Sequence, residues 1–231
     1  MNKQYILVSG LLLLLTVSLS GVKGTGKNSP CQADYREVNK MVIMDAASLP
    51  DTGGWVMKQS GNDYTGKGFM EWEGDNCFRQ PQGGMLTVSF QITTGGRYCF
   101  IWRNRVGEGD NPTEANDSWV RFPDASAYYG ELKGQKKYPK GLDKQPYTNG
   151  VSVDGWMKVF HHNKHLDWTW HTRTSDHEGM ELFAEFDQPG QYTLQIAGRS
   201  RHHQIDRIVL YHTSVEKGVA TDSATAETRC Q

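Results

Sequence analysis

Residues 186–211 read FDQPGQYTLQIAGRSRHHQIDRIVLY, and this stretch decides the fold. Gln188-Pro189-Gly190 is turn chemistry. Tyr192, Leu194 and Ile196 then alternate with polar neighbours, the period of a half-buried strand. A polar segment, Arg199 to Arg207, leads into Ile208, Leu210 and His212, which alternate again. Working outward, Met180, Leu182, Ala184 and Phe186 alternate before the turn. Leu86, Val88, Phe90 and Ile92 alternate further upstream, then Thr94-Gly95-Gly96 turns the chain into Tyr98, Phe100 and Trp102. Strands at this spacing, with Gly/Pro turns and no helical period, predict an all-β, antiparallel β-sandwich of jelly-roll type. Residues 90–105 (FQITTGGRYCFIWRNR) faintly echo 186–199, as two similar hairpins would.

The chain has 231 residues, with 25 Lys and Arg against 26 Asp and Glu, a formal net charge of -1. That balance excludes nucleic-acid binding by bulk positive charge. Residues 1–20 have the pattern of an export signal peptide. Lys3 precedes five leucines at 11–15, and the small residues Ser18, Ser20 and Gly21 follow. The apolar run is too short for a membrane span. A secreted protein is expected, extracellular or periplasmic. Residues 21–30 read as a linker, 31–215 as the β-sandwich domain and 216–231 as a C-terminal tail. Four cysteines in an exported chain suggest two disulfides with three possible connectivities. Cys31–Cys230 would join the ends of the domain, and Cys77–Cys99 would link neighbouring segments around a strand.

Several groups of residues carry potential chemistry. Trp119, Trp156, Trp168 and Trp170 lie in polar or turn-rich surroundings, and an aromatic face stacks on the apolar face of a sugar ring. Trp156, just after Asp154-Gly155, is expected to be an exposed platform. Residues 123–155 read as a long Lys-, Gly-, Pro- and Tyr-rich loop without period. Asn116 and Asp117 sit at a loop-to-strand junction, where a sandwich displays polar ligands. Arg199, Gln204 and Asp206 lie in the polar segment before the last strand, and Asp206 there needs an arginine or a cation as partner. His161-His162-x-x-His165 has the spacing of a metal site. Nucleophile elbows, P-loops and dinucleotide fingerprints are missing from the sequence. Glu181 and Glu185 alternate as a solvated strand face does, unlike a glycosidase pair.

Three segments carry a resemblance. Residues 186–211, the stretch GGRYCFIWRN…NDSWVRF within 95–122, and Val42-Ile43-Met44-Asp45-Ala46 resemble the closing, middle and first strands of carbohydrate-binding-module-like, galactose-binding-like jelly rolls. The resemblance implies saccharide binding in loops at one end and a structural calcium near the first and last strands. The family's ligand-binding Asn falls on Gln204, its last-strand acid on Asp206 and its first-strand acid on Asp45. The sequence departs from that pattern with Gln for Asn and with Asp-Ala-Ala for Glu-Ala-Glu, which removes one calcium ligand.

The expected function is therefore a secreted, non-catalytic protein that binds a polysaccharide or glycoconjugate. Trp156 would stack on the sugar, Asn116, Asp117, Arg199 and Gln204 would bind its hydroxyls, and Asp45 and Asp206 would hold calcium. Two alternatives stand beside it: a jelly-roll polysaccharide lyase, and an adhesion or envelope component that binds other surface proteins.

Overall fold

The computed structural model describes residues 31–50, 53–161 and 166–230. The segments read above as leader and linker, and His162 and His165 of the histidine cluster, lie outside the described residues.

The alternating apolar runs form strands. They are β1 (Tyr35–Arg36), β2 (Met41–Asp45), β3 (Trp55–Lys58), β4 (Phe69–Trp72), β5 (Leu86–Ile92), β6 (Gly96–Val106), β7 (Asp117–Arg121), β8 (Ala127–Leu132), β9 (Gln135–Lys137), β10 (Ser152–Val153), β11 (Trp156–His161), β12 (Thr172–Arg173), β13 (Glu181–Phe186), β14 (Gly190–Gly198) and β15 (His203–His212). One sheet has the order β1-β5-β14-β7-β11-β10, with β12 beside β11. The other runs β3-β4-β15-β6-β13-β8-β9, with β2 beside β15. The β1–β5 pair is parallel and the remaining strand pairs are antiparallel. From β4 to β8 the chain changes sheet at every strand, and β13, β14 and β15 alternate in the same way, which is jelly-roll connectivity.

The core lies between the sheets. Leu86, Val88, Phe90 and Ile92 face Phe100, Trp102, Leu182, Phe186 and Leu210 in one cluster. Burial of these alternate positions is what fixes strand register, because a one-residue slip would turn every apolar side chain to water.

Cys31 and Cys230 form a disulfide with Cα atoms 5.6 Å apart. The expected Cys77–Cys99 bond is not formed, and both thiols are free and buried. Cys77 lies in the loop after β4, its N–H on the Arg199 carbonyl and its own carbonyl on Trp119 Nε1. Cys99 packs instead on the outer face of the second sheet with Met41, Ile43, Val209 and Tyr211. The two cysteines therefore belong to opposite sides of the sandwich.

Residues 216–230 include a short helix, α1 (Lys217–Ala220), with Ala220 buried. They return to the first strands, where Thr228 Oγ1 accepts the Ile43 N–H (3.0 Å) and the Cys230 N–H reaches the Asp34 carbonyl. The region 123–155 is not one irregular loop. It carries the β8–β9 hairpin, turned by Lys133 and Gly134 at φ 51° and 82°, the left-handed geometry a two-residue hairpin turn requires.

Candidate functional site

On the outer face of the second sheet, β4, β15 and β6 place Glu71, Gln204 and Arg105 in one cross-strand row. Gln204 Nε2 donates to Glu71 Oε2 at 2.5 Å, and Arg105 Nε donates to Gln204 Oε1. Glu71 also accepts from Lys58 (3.2 Å) and His202 (2.6 Å). Those three donors hold its carboxyl below the ordinary range against the opposing effect of burial.

One step along the strand a register shift between Ile205 and Arg207 leaves Asp206 without a cross-strand partner. A β-bulge re-aims a side chain in this way. Asp206 is fully buried and saturated. Arg103 Nη1 donates to it at 2.5 Å, and the N–H and hydroxyl of Thr65 donate at 2.8 and 2.9 Å. Burial nevertheless raises its pKa.

Above this row sits an aromatic group. Phe69 meets Trp168 edge to face at 5.2 Å and packs against Tyr64 at 5.9 Å. The Arg105 guanidinium lies 4.5 Å from the Trp168 ring centre, and Arg103 lies 5.5 Å from it. Together Tyr64, Arg103, Arg105 and Trp168, with Asn62, Asp63 and Asp167, line a cleft of ≈ 490 Å³. Among the described residues Arg105 donates from its Nε alone, to Gln204, and its guanidinium lies over the Phe69 and Trp168 rings. The cleft thus combines fixed cationic donors, carboxylate acceptors and half-buried aromatic surface on a rigid strand scaffold.

The sequence-derived candidates divide. Gln204 and Asp206 lie beneath this cleft. Asp117 and Arg199 pair with each other, and Ser200 donates to the same carboxylate, at the neighbouring loop end. Asn116 is buried, its amide on the carbonyls of Pro112 and His161 (both 3.2 Å). Trp156 is not an exposed platform. It is only 5% exposed, packed with Trp119 and Ala197 under the Arg121 guanidinium. Its strand position points it to the outer face of the first sheet, but that face is covered there.

Asp45 and Asp206 do not fit a shared calcium site. Asp45 accepts Arg207 Nε at 2.7 Å, and Arg207 Nη1 takes the carbonyls of Ser223 (3.2 Å) and Thr225 (2.8 Å). A carboxylate and two carbonyls are calcium-type ligands, and here a guanidinium satisfies all three. Among the described residues no group of three His, Cys, Asp or Glu side chains could hold a metal ion.

Ser118, His203 and Asn104 form a chain with the spacing of a nucleophilic triad. Ser118 Oγ is 2.8 Å from His203 Nδ1, and His203 Nε2 is 3.3 Å from Asn104 Oδ1. All three are sealed in the interior, so this Ser–His pair meets no substrate. Burial, with the neighbouring His161, pushes the His203 pKa down to about 3.

Sequence reading missed Tyr64, Arg103, Arg105, Asp63 and Asp167. Arg103 and Arg105 did leave a trace, being charged at alternate positions of a strand whose other positions, Trp102, Asn104 and Val106, are buried. The 62–65 loop left none.

No family model and no curated protein sequence matches the chain. Solved structures do. A Podospora anserina GH26-CBM35 β-(1,4)-mannanase is similar at 17% identity and TM-score 0.44, over 78% of this chain and 29% of that one. A cycloisomaltooligosaccharide glucanotransferase from Paenibacillus sp. is similar at 14% identity and TM-score 0.41, over 76% and 19%. A CBM35 module from Cellvibrio japonicus is similar at 12% identity and TM-score 0.40, over 74% of this chain and 91% of that module. The chain thus spans less than a third of the first two.

Proposed function

We propose that this chain is a secreted, non-catalytic carbohydrate-binding protein and that its glycan sits in the cleft beside Trp168. The observation that carries the reading is the half-buried Trp168 ring flanked by Arg103, Arg105, Asp63 and Asp167 in a ≈ 490 Å³ cleft. A sugar ring presents an apolar C–H face and a rim of hydroxyls that both donate and accept. Aromatic surface matches the first and mixed charged groups match the second. The Glu71–Gln204–Arg105 row and the Asp206–Arg103 pair fix these groups before ligand arrives, so little side-chain entropy is lost on binding. Desolvating hydroxyls offsets much of each hydrogen bond, and affinity per sugar is weak. The Cys31–Cys230 disulfide supports an oxidising compartment.

Affinity electrophoresis tests this. The protein should be retarded in gels containing one or more of galactomannan, xylan, dextran and pectin. Trp168→Ala and Arg105→Ala should each remove the retardation while the melting temperature stays within a few degrees. Retardation unchanged in both variants would move the site elsewhere. Because Arg207 fills the cation-like position beside Asp45, chelator should leave retardation as it was. Its loss on chelation, with recovery on added calcium, would reinstate the metal.

A further inference from the structure

Part of the wall of the Trp168 cleft lies outside the two sheets. Asn62, Asp63, Tyr64 and Thr65 come from the loop between β3 and β4, and Ser223 comes from the segment after α1. Loops make a binding wall only when a rigid element holds them in place. Two consecutive residues of β15, Asp206 and Arg207, sit at the bulge beneath these segments and hold one each.

Asp206 holds the first. It accepts the N–H and the hydroxyl of Thr65 at 2.8 and 2.9 Å. Arg207 holds the second. It is buried, its Nε donates to Asp45 Oδ1 at 2.7 Å, and its Nη1 donates to the carbonyls of Ser223 (3.2 Å) and Thr225 (2.8 Å). One guanidinium thus ties the C-terminal segment to β2, at the position where Arg207 and Asp45 are cross-strand partners. Asp45 meets the first segment as well. Gly66, at φ 62°, passes so close that a Cβ there would stand 2.6 Å from Asp45 Oδ2.

The C-terminal segment has other anchors, but they lie further on. Thr228 bonds Ile43, and Cys230 is joined to Asp34 by its N–H and to Cys31 by the disulfide. Among the described residues, the hydrogen bonds that join 221–226 to the strands are the two from Arg207. A guanidinium stays charged at every working pH, and its planar fork meets several oxygens at once. A metal held by the same three oxygens could be taken away by chelator, whereas Arg207 cannot.

We infer that Arg207, with Asp45, is a positioning residue of the Trp168 cleft, and that it fixes the C-terminal segment as one of the cleft walls. This rests on the Trp168 cleft being a glycan site. Arg207 touches no ligand. It acts by holding Ser223 at the cleft edge, and Asp45 serves the site through a guanidinium in place of the calcium that the resemblance implies.

Hydrogen exchange read by mass spectrometry, run beside affinity electrophoresis, tests it. Arg207→Lys keeps a charge beside Asp45 but loses the fork. Its amides at 222–229 should exchange roughly ten-fold faster than those of the wild type, with β5 and β14 unchanged. Its affinity for the retarding polysaccharide should fall roughly five-fold, because a loosened wall must be ordered on binding. Ser223→Leu changes an exposed side chain and keeps the carbonyl that Arg207 holds. It should weaken retardation with exchange and melting temperature unchanged. Wild-type exchange at 222–229 in folded Arg207→Lys would overturn the latch, whatever the glycan result. Unchanged retardation in either variant, with none in Trp168→Ala, would overturn the wall and leave the Trp168 reading intact. Folded wild type retarded by no polysaccharide would overturn that reading and the wall with it, and the exchange result alone would then judge the latch.

Discussion

Individual side chains here are organised by whether a buried charge finds its partner. Asp206 is fully buried and Arg103 answers it; Asp45 is answered by Arg207. Removing one member of a buried pair strands the other and costs roughly 3–5 kcal/mol. Asp206→Ala should therefore lower unfolding stability by that order in urea titration, and should also weaken glycan binding by freeing Arg103. A stability change below about 1 kcal/mol would show that the pair is not a strut. Trp156 makes the converse case. Its sequence setting, after Asp-Gly, suggested exposure, yet it packs on Trp119 and Ala197. Trp156→Ala should cost about 3 kcal/mol or more as a buried large-to-small change and leave binding by the surviving folded protein untouched. A stable variant that has lost binding would restore Trp156 to the site. His203 supplies a pH signature. Its folded pKa is about 3, below the ordinary 6.5, so folding favours the neutral ring. Its stabilisation is complete above pH 6.5 and is lost as pH falls toward 3, at up to about 1.4 kcal/mol per pH unit. The folded Glu71 carboxyl has a lowered pKa, so its own loss begins only near its unfolded value, below about pH 5. The fall in urea midpoint between pH 6.5 and 5 is then assigned to histidine, and His203→Gln should flatten it. An equal slope in that variant would refute the assignment.

At the scale of elements, the strands were legible wherever one face is apolar and the other polar. β5 shows the alternation residue by residue, inward at Leu86, Val88, Phe90 and Ile92. β15 is buried on both faces over nearly its whole length, and its alternation survives only in Ile208 and Leu210. The β8–β9 hairpin escaped because Tyr128, Tyr129 and Gly130 are consecutive buried positions with no period. Gln204 could be found because it falls on the ligand-binding Asn of the family the sequence resembles, and Asp206 because an acid beside an apolar strand needs a partner; the structure places both inside β15. Tyr64 and Asp63 could not, since a polar loop looks the same whether it faces water or a ligand. The disulfides divide for a related reason. Proximity of the chain ends is a property of whole domains, whereas Cys77 and Cys99 differ in which sheet face they meet. Cys31–Cys230 closes a separation of 199 residues. Loop-closure entropy for so long a span is worth roughly 5 kcal/mol at most. Replacing both cysteines by serine should lower the unfolding free energy by several kcal/mol. No measurable change would mean that the 216–230 segment holds by its backbone contacts alone.

The described residues from 31 to 230 form a two-sheet scaffold, and the candidate site lies where β4, β6 and β15 meet. The core sets the backbone, the backbone sets the cross-strand row, and the row sets Arg105, as Asp206 sets Arg103, beside Trp168. The most direct measurement is a glycan array probed with the protein from about residue 25 onward, as wild type and as Trp168→Ala, with both melting temperatures recorded. The account predicts wild-type binding to one class of glycan and no binding by the equally folded variant. Silence from folded wild type across neutral and acidic glycans, or equal binding by the variant, would contradict it.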